Sequence, residues 1–522
     1  MRRRRPRGKA FAARTTILAL AAGALFTTLT PLCPAAAQSV RSGAWSFTSN
    51  AALAPPAIEV SVGGQPSSGP SEQASGYLFL APIKNYAHAG VFMGKPGPEI
   101  MEADGSPVWE HPLGQMIKVG RSSEQIVAMD FHADSYEGQP VLVWWEGYIT
   151  PQGFGNGFWA IVDEHYHTLA LIRAPKGYEL DFHDIQFVSG GDAYIIISKP
   201  VKLSLHCCGG PANGEVEDQQ VLEIEVKTGK ILWRWDPLHH VPLREAYTTP
   251  PSSGAWDPYH INSISFTPTG EPIISARNTW AAYWVERKTG RVLARLGGKR
   301  SSFTFANGAS FAWQHDVRQQ QGSQVSVFDD EAAPVEGKQS RALLLTLDST
   351  HHTATVAHEY LLPKPALAGS QGNTQLLEGG NLFVGWGQLP YFSEYNSAGK
   401  LIYLATLPGP DESYRAFRSP WVGLPGNKPA LVAVGANALE ASWNGATEVA
   451  SWQLLAGSSE SSLSPSGQPA ARQRFETQLA PSKPAAYYAV QALDGSGQIL
   501  GTSPVVGSFK APPTSAGGAV AH

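Results

Sequence analysis

The chain has 522 residues, of which 16% are charged and 10% aromatic, with a formal net charge of −4. That is too long for one ordinary core and too apolar for disorder, so two or more globular domains are expected. The charge balance does not favour nucleic acid as a partner, and none is expected.

At the N-terminus, Arg2, Arg3, Arg4, Arg5, Arg7, Lys9 and Arg14 precede an apolar stretch from Thr16 to Leu29 and the small residues Ala35-Ala-Ala37. This is the pattern of a secretory signal peptide over residues 1–37. A retained anchor is the alternative, and the small-residue exit favours cleavage. Cleavage removes seven of the 39 Lys and Arg and none of the 43 Asp and Glu, leaving 32 positive against 43 negative groups, a formal −11. The expected location is secreted or extracytoplasmic, in a periplasm or at a cell surface. Leu32 before Cys33 argues against lipoprotein cleavage. That leaves Cys207 and Cys208, neighbours able to form a strained vicinal disulfide or to stand as two thiols.

The first regular element is an edge strand around Ile58–Val62. Four strand-turn-strand units follow along the chain, turning at Gly105, Gly229, Gly290 and Gly399, with weaker copies turning near residues 166 and 351. Each alternates about its turn, the signature of a hairpin. Between them lies a second type of segment, as in Phe131-His132-Ala-Asp134, Asp181-Phe-His183-Asp, Tyr259-His260-Ile-Asn, Gln314-His315-Asp and Asn373-Thr-Gln375. Two segments per step make a four-stranded unit, and six steps predict an all-β fold, a six-bladed β-propeller over residues 38–425. A large sandwich is the alternative.

The chain changes character near Pro420–Pro425. Residues 426–510 alternate like a small β-sandwich resembling a fibronectin type III domain, with Trp443 as its core tryptophan. Residues 511–522, rich in Pro, Gly and Ala, are expected to be a disordered tail.

In a propeller the first strand of each blade lines the axis, so strand starts far apart in sequence meet at one mouth. His183, His260 and His315 are then able to face one another, with Arg277 in Ser275-Ala-Arg277-Asn278 as a fixed cation. Imidazoles and a guanidinium around a funnel suit a small multi-oxygen anion. Structural His–Asp pairs, His183 with Asp184 and His315 with Asp316, are the competing reading. No short His-x-His spacing suggests zinc, and neither a metal nor a cofactor is expected.

The motifs Asp-Phe-His183-Asp-Ile-Gln, Tyr-His260-Ile-Asn-Ser-Ile, Ile-Ser-Ala-Arg277-Asn, Thr-Gly290 with Leu296-Gly-Gly298, Trp-Gln-His315-Asp and Val327-Phe-Asp-Asp330 resemble the PAPS-independent arylsulfotransferase family. The closing Ser413-Tyr-Arg-Ala-Phe-Arg-Ser-Pro-Trp-Val-Gly423 resembles its second branch, and the similarity runs from about Gly76 to Pro425. The resemblance implies transfer of a sulfuryl group from an aryl sulfate to a phenolic acceptor through a sulfohistidine. His315 matches the nucleophile, and His183, His260 and Arg277 match the groups that hold the sulfuryl oxygens. Asp316 is the candidate for fixing the His315 tautomer, with a backbone carbonyl as the alternative, and His260 or His183 for proton transfer. Competing classes are a non-catalytic propeller that binds an anionic or aromatic ligand or a surface partner, and a quinone-dependent dehydrogenase. The C-terminal domain is a candidate for cell-surface or polymer contact.

Overall fold

The computed structural model describes residues 39–63, 72–85, 90–150, 153–435 and 437–508. The expected signal peptide, residues 1–37, and the expected tail, residues 511–522, lie outside them. Among the described residues the helices are one α-helical turn, Pro237–His240, and three 3-10 turns; the rest of the regular structure is strand.

Six sheets carry most of the chain. The first joins Val127–Tyr136, Gln139–Ile149, Gly155–Val162 and Thr168–Ile172; the second Glu179–Val188, Asp192–Ser198, Gln220–Glu225 and Lys230–Trp235. The third joins Ile261–Phe266, Pro272–Ala276, Ala281–Val285 and Val292–Gly297. In the fourth, His315–Gln319, Gln324–Asp329, Arg341–Asp348 and Thr353–Tyr360 are extended by Thr304–Phe305. In the fifth, Asn373–Leu376, Leu382–Gly385, Tyr391–Tyr395 and Leu401–Thr406 gain Glu59–Val62, the edge strand read near Ile58. The sixth combines Asp411–Ser419 with three early strands, Tyr77–Lys84, Glu99–Met101 and Pro107–Glu110.

The six hairpins read from the sequence join the third and fourth strands of these sheets. Gly105, Gly229, Gly290 and Gly399 have φ between +70° and +84°, the left-handed region glycine enters without a Cβ clash. The two weaker turns place Tyr166 and His352 there instead, at φ +64° and +52°.

Each first strand lies against the first strand of the next sheet, and Asp411–Ser419 returns to Val127–Tyr136, so the six form a ring. A separate apolar cluster fills each gap between neighbouring sheets. One sets Trp145 and Ile161 against Ile185 and Ile195, and another sets Phe79 and Ile100 against Phe131 and Leu142. Second strands, covered on both faces, read as unbroken apolar runs, as in Tyr194–Ile197, whereas the outermost strand Lys230–Trp235 is mostly exposed.

After residue 425 two further sheets pack over Leu431, Leu439, Trp452, Leu454 and Val490. Trp452 occupies the core position expected of Trp443. Trp443 stands half-buried just past Ala438–Ser442, where its indole N–H needs and finds a polar partner, Asn427 Oδ1 at 2.8 Å. These sheets are joined to the rest by Tyr166 Oη donating to the Gly445 carbonyl at 2.8 Å and by reciprocal bonds between Asn444 and the Glu110 backbone. Phe475 packs with Trp45, Phe47 and Leu53.

Candidate active site

The ring of first strands is irregular at one level. Leu180 pairs with Ile197 and Ile185 with Ile195, so Asp181–Asp184 loop out of the ladder. One-residue bulges fall at the same level between His315 and Arg318, Ser413 and Ala416, Ile261 and Ser263, and Met129 and His132. Asp130, His260 and Asp316 take φ of +51° to +54° there. A bulge breaks strict alternation, so side chains adjacent in sequence both turn toward the axis.

At this level the four sequence-predicted site residues come together. The His183 ring centroid lies 4.7 Å from that of His260 and 6.4 Å from that of His315, and the His260 and His315 centroids are 6.5 Å apart. Each imidazole has Nδ1 against a carboxylate: His183 with Asp181 at 2.5 Å, His260 with Asp257 at 2.6 Å and His315 with Asp330 at 2.8 Å. Asp181 and Asp257 also accept the backbone N–H of the histidine they hold, both at 2.8 Å. The Nε2 edges are left to face the common space. Side-chain exposure is 3% for His183, 1% for His315 and 14% for His260, which makes His260 the one nearest solvent.

Arg277 starts the turn after Pro272–Ala276, and its N–H donates to the His260 carbonyl at 3.0 Å. Its guanidinium carbon lies 4.9 Å above the Trp313 ring, and Nη2 donates to the Gly369 carbonyl at 2.9 Å. Nε is buried and has no partner. Aromatic walls complete the space. Phe182 stacks on His183 at 4.2 Å, Tyr414 lies 5.7 Å from the same ring, and Phe154 is 5.5 Å from His260.

Burial, reinforced by the Arg277 cation, holds the His315 imidazole well below its ordinary range. Burial also lowers His183, against the pull of Asp181. The Gln371 backbone N–H donates to His315 Nε2 at 3.3 Å, so that nitrogen carries a lone pair and the imidazole proton sits on Nδ1. Burial holds the Asp330 carboxyl well above its ordinary range, with Arg277 opposing the shift only in part. The result is a neutral imidazole with a fixed tautomer and a lone pair on Nε2.

The expected partners Asp184 and Asp316 do not hold the histidines. The bulges send them one level deeper, where Asp184 accepts from Arg318 at 2.9 Å and Arg415 at 3.0 Å, and Asp316 from Arg318 at 2.7 Å. Asp330, on the neighbouring strand, holds His315 instead. His132 lies apart from the three histidines, beside Asp130, Asp134 and Phe417 in a cavity of about 300 Å³ beyond that deeper layer. Of the aromatic residues near the motifs, Trp256, Tyr259, Tyr283 and Trp386 are core packing, while Trp313 reaches Arg277.

One nitrogen from each histidine lies within 4.8 Å of the others, a grouping the sequence spacing did not suggest. Tetrahedral zinc at ~2.0–2.1 Å from each nitrogen brings its ligand atoms to roughly 3.4 Å of one another, so a metal requires the rings to close in beside the Arg277 charge.

Sequence reasoning missed Asp181, Asp257, Gln371, Glu412 and Phe154 as parts of this site. Of these only the aspartates carry a local signal, the Asp-x-His and Asp-x-x-His spacings.

No curated protein matches the chain. Among solved structures, a protein of unknown function from Bacteroides caccae is 13% identical over 66% of this chain and 100% of its own, with a TM-score of 0.38. One from Dyadobacter fermentans is 10% identical over 69% and 100%, with a TM-score of 0.36. A catalytically inactive form of virginiamycin B lyase from Staphylococcus aureus, with quinupristin, is 9% identical over 63% and 96%, with a TM-score of 0.30. The family model for arylsulfotransferase (ASST) matches residues 132–406, more than half of the chain and short of the Gly76–Pro425 expected at both ends. The span includes His183, His260, Arg277 and His315, and the chain belongs to the arylsulfotransferase family.

Proposed function

We propose that this chain is an exported enzyme that moves a sulfuryl group from an aryl sulfate to a phenolic acceptor, with His315 as the nucleophile. The observation that carries the reading is the convergence of three imidazoles, each with Nδ1 on a carboxylate and Nε2 facing a shared space beside Arg277. The six sheets are read as propeller blades, supported by the ring of first strands and the apolar cluster in each gap. The domains proposed are the signal peptide 1–37, the propeller 38–425, a fibronectin type III-like sandwich 426–510 that contacts a surface or polymer, and the tail 511–522.

His315 Nε2 attacks sulfur, and the sulfur–oxygen bond to the aryl group breaks with its electron pair passing to the aryl oxygen. The loose transition state leaves charge on the sulfuryl oxygens. Arg277 Nε meets one. A proton on Nε2 of His183 or His260 is held between the aspartate behind it and a second. As the N–S bond forms, the Gln371 N–H loses its acceptor nitrogen and turns to a sulfuryl oxygen, an interaction gained only along the reaction. The acceptor phenol reverses the steps.

Incubation with 4-nitrophenyl sulfate is expected to release one equivalent of 4-nitrophenol in a burst and leave an acid-labile sulfo group on His315 by mass spectrometry. His315→Ala removes both. A wild-type protein that binds the donor without a burst supports the binding-only reading instead.

A further inference from the structure

The proton balance of the transfer points to a residue that neither the motifs nor the three histidines account for. A departing aryl oxygen needs a proton unless its phenol is strongly acidic. His315 has its proton on Nδ1, against Asp330. Any proton on Nε2 of His183 or His260 is already engaged by the sulfuryl oxygens. Tyr414 Oη donates to the His183 carbonyl at 3.1 Å, and burial raises its pKa far above the ordinary phenol value.

Glu412 stands on the same first strand, two residues before Tyr414, and is 1% exposed. Gln371, whose backbone N–H touches the nucleophilic nitrogen, donates its side-chain amide to Glu412 Oε1 at 2.9 Å. That bond ties Glu412 to the reacting face of His315. Its other oxygen, Oε2, is buried without a partner, and so is Gln371 Oε1. Two orphaned buried oxygens, one on each partner of a single hydrogen bond, mark a place where a donor or acceptor from outside the chain is expected. The deeper carboxylates have arginines, whereas no cation opposes the burial of Glu412, which pushes its carboxyl up to about 8. The group is a carboxylic acid at neutral pH, with Oε1 accepting from Gln371 and the proton on Oε2.

Resting on the sulfuryl-transfer reading, we propose that Glu412 is the general acid and base of the reaction, giving its Oε2 proton to the departing aryl oxygen and recovering one from the acceptor phenol. In the first half, the N–S bond forms, the S–O bond breaks, and the proton passes from Glu412 to the aryl oxygen, leaving a carboxylate and a neutral phenol. In the second, the acceptor hydroxyl protonates Glu412 as its oxygen bonds sulfur and the N–S bond breaks. Atoms and charge balance with no further reactant.

The test is the rate of sulfo-enzyme formation across aryl sulfates whose phenols run from acidic to weakly acidic, for wild type and Glu412→Gln. Loss of the acid is expected to slow 4-nitrophenyl sulfate less than about 3-fold and 4-methylphenyl sulfate by roughly 100-fold or more, within the range of general acid catalysis. Glu412→Asp is expected to recover part of the loss. Wild type alone, with 4-methylphenyl sulfate, is expected to show a solvent deuterium isotope effect above about 2, a readout independent of whether a variant folds. Equal slowing of every donor, or no isotope effect, overturns the assignment while leaving His315 transfer intact. Absence of a sulfo-enzyme in wild type with any donor overturns both readings together.

Discussion

Two adjacent layers of the axial ring are built from the same kinds of residue and end in opposite states. In the deeper layer Asp130, Asp184 and Asp316 face Arg318 and Arg415, and Asp184 alone accepts from two arginines and the Ile264 N–H. In the layer above it, Arg277 Nε, Asp330 Oδ1, Gln371 Oε1 and Glu412 Oε2 are all buried without partners. Asp130 Oδ2 and Arg415 Nε are the leftovers below. A largely satisfied network fixes the ring, and the unsatisfied one is where the proposed reaction places its substrate. His183 and Asp184, neighbours in the chain, belong one to each.

The largest expected effect falls on the deeper layer. Arg415 is 1% exposed and lies within 3.0 Å of both Asp130 and Asp184 and 3.5 Å of Asp316. Arg415→Ala leaves buried carboxylates without their central cation, and a loss of about 3–5 kcal/mol is expected by denaturant unfolding. A loss under about 1 kcal/mol breaks the distinction between the layers.

Next comes a pair of aspartates that separates the layers by what each change damages. Asp330→Asn removes the carboxylate that fixes the His315 tautomer, and a roughly 100-fold or greater fall in burst rate is expected with near-normal stability. Asp316→Asn is expected to do the reverse, costing about 1–3 kcal/mol of stability by weakening bonds to Arg318 and the Thr374 N–H while burst formation survives. If both lower the rate alike, the two layers act as one catalytic unit.

How far the sequence reaches is clearest at these same residues. The hairpin turns were legible because Gly105, Gly229, Gly290 and Gly399 each stand between alternating runs. The four site residues were legible because ordered motifs carry them. The aspartates behind His183 and His260 lie two and three residues upstream, but the three-residue spacing also occurs at exposed positions, Asp236 with His239 and Asp348 with His351. Spacing alone therefore does not distinguish a site from a turn. Asp330 reaches His315 across a hairpin, so its place in Val327-Phe-Asp-Asp330 carries no sign of the partnership. The bulges left no mark at all: one extra residue in a strand needs no glycine, yet it decides which of two neighbours faces the ligand. Glu412 and Gln371, 41 residues apart, meet only because the first strands of the fifth and sixth sheets lie side by side.

The smallest expected effect concerns acid. Imidazole with its ordinary pKa near 6.5 is about nine-tenths protonated at pH 5.5, which costs a nucleophile about tenfold in rate. Burial and Arg277 hold His315 well below that value, so it stays neutral there. The burst rate with 4-nitrophenyl sulfate, whose phenol leaves without help, is expected to change less than about 2-fold between pH 7.5 and 5.5. A buried histidine with a lowered pKa binds its proton later than the unfolded chain does, so its own contribution to stability falls as pH drops below about 6.5, by at most about 1.4 kcal/mol per pH unit, whereas a carboxyl raised by burial, such as Glu412 at about 8, contributes with the opposite sign. His183 adds to the same slope. A preserved rate is the mark of a nucleophile kept neutral by its surroundings. A tenfold loss of rate with a midpoint near pH 6.5 would instead place His315 in contact with water and remove the basis for separating its layer from the one below.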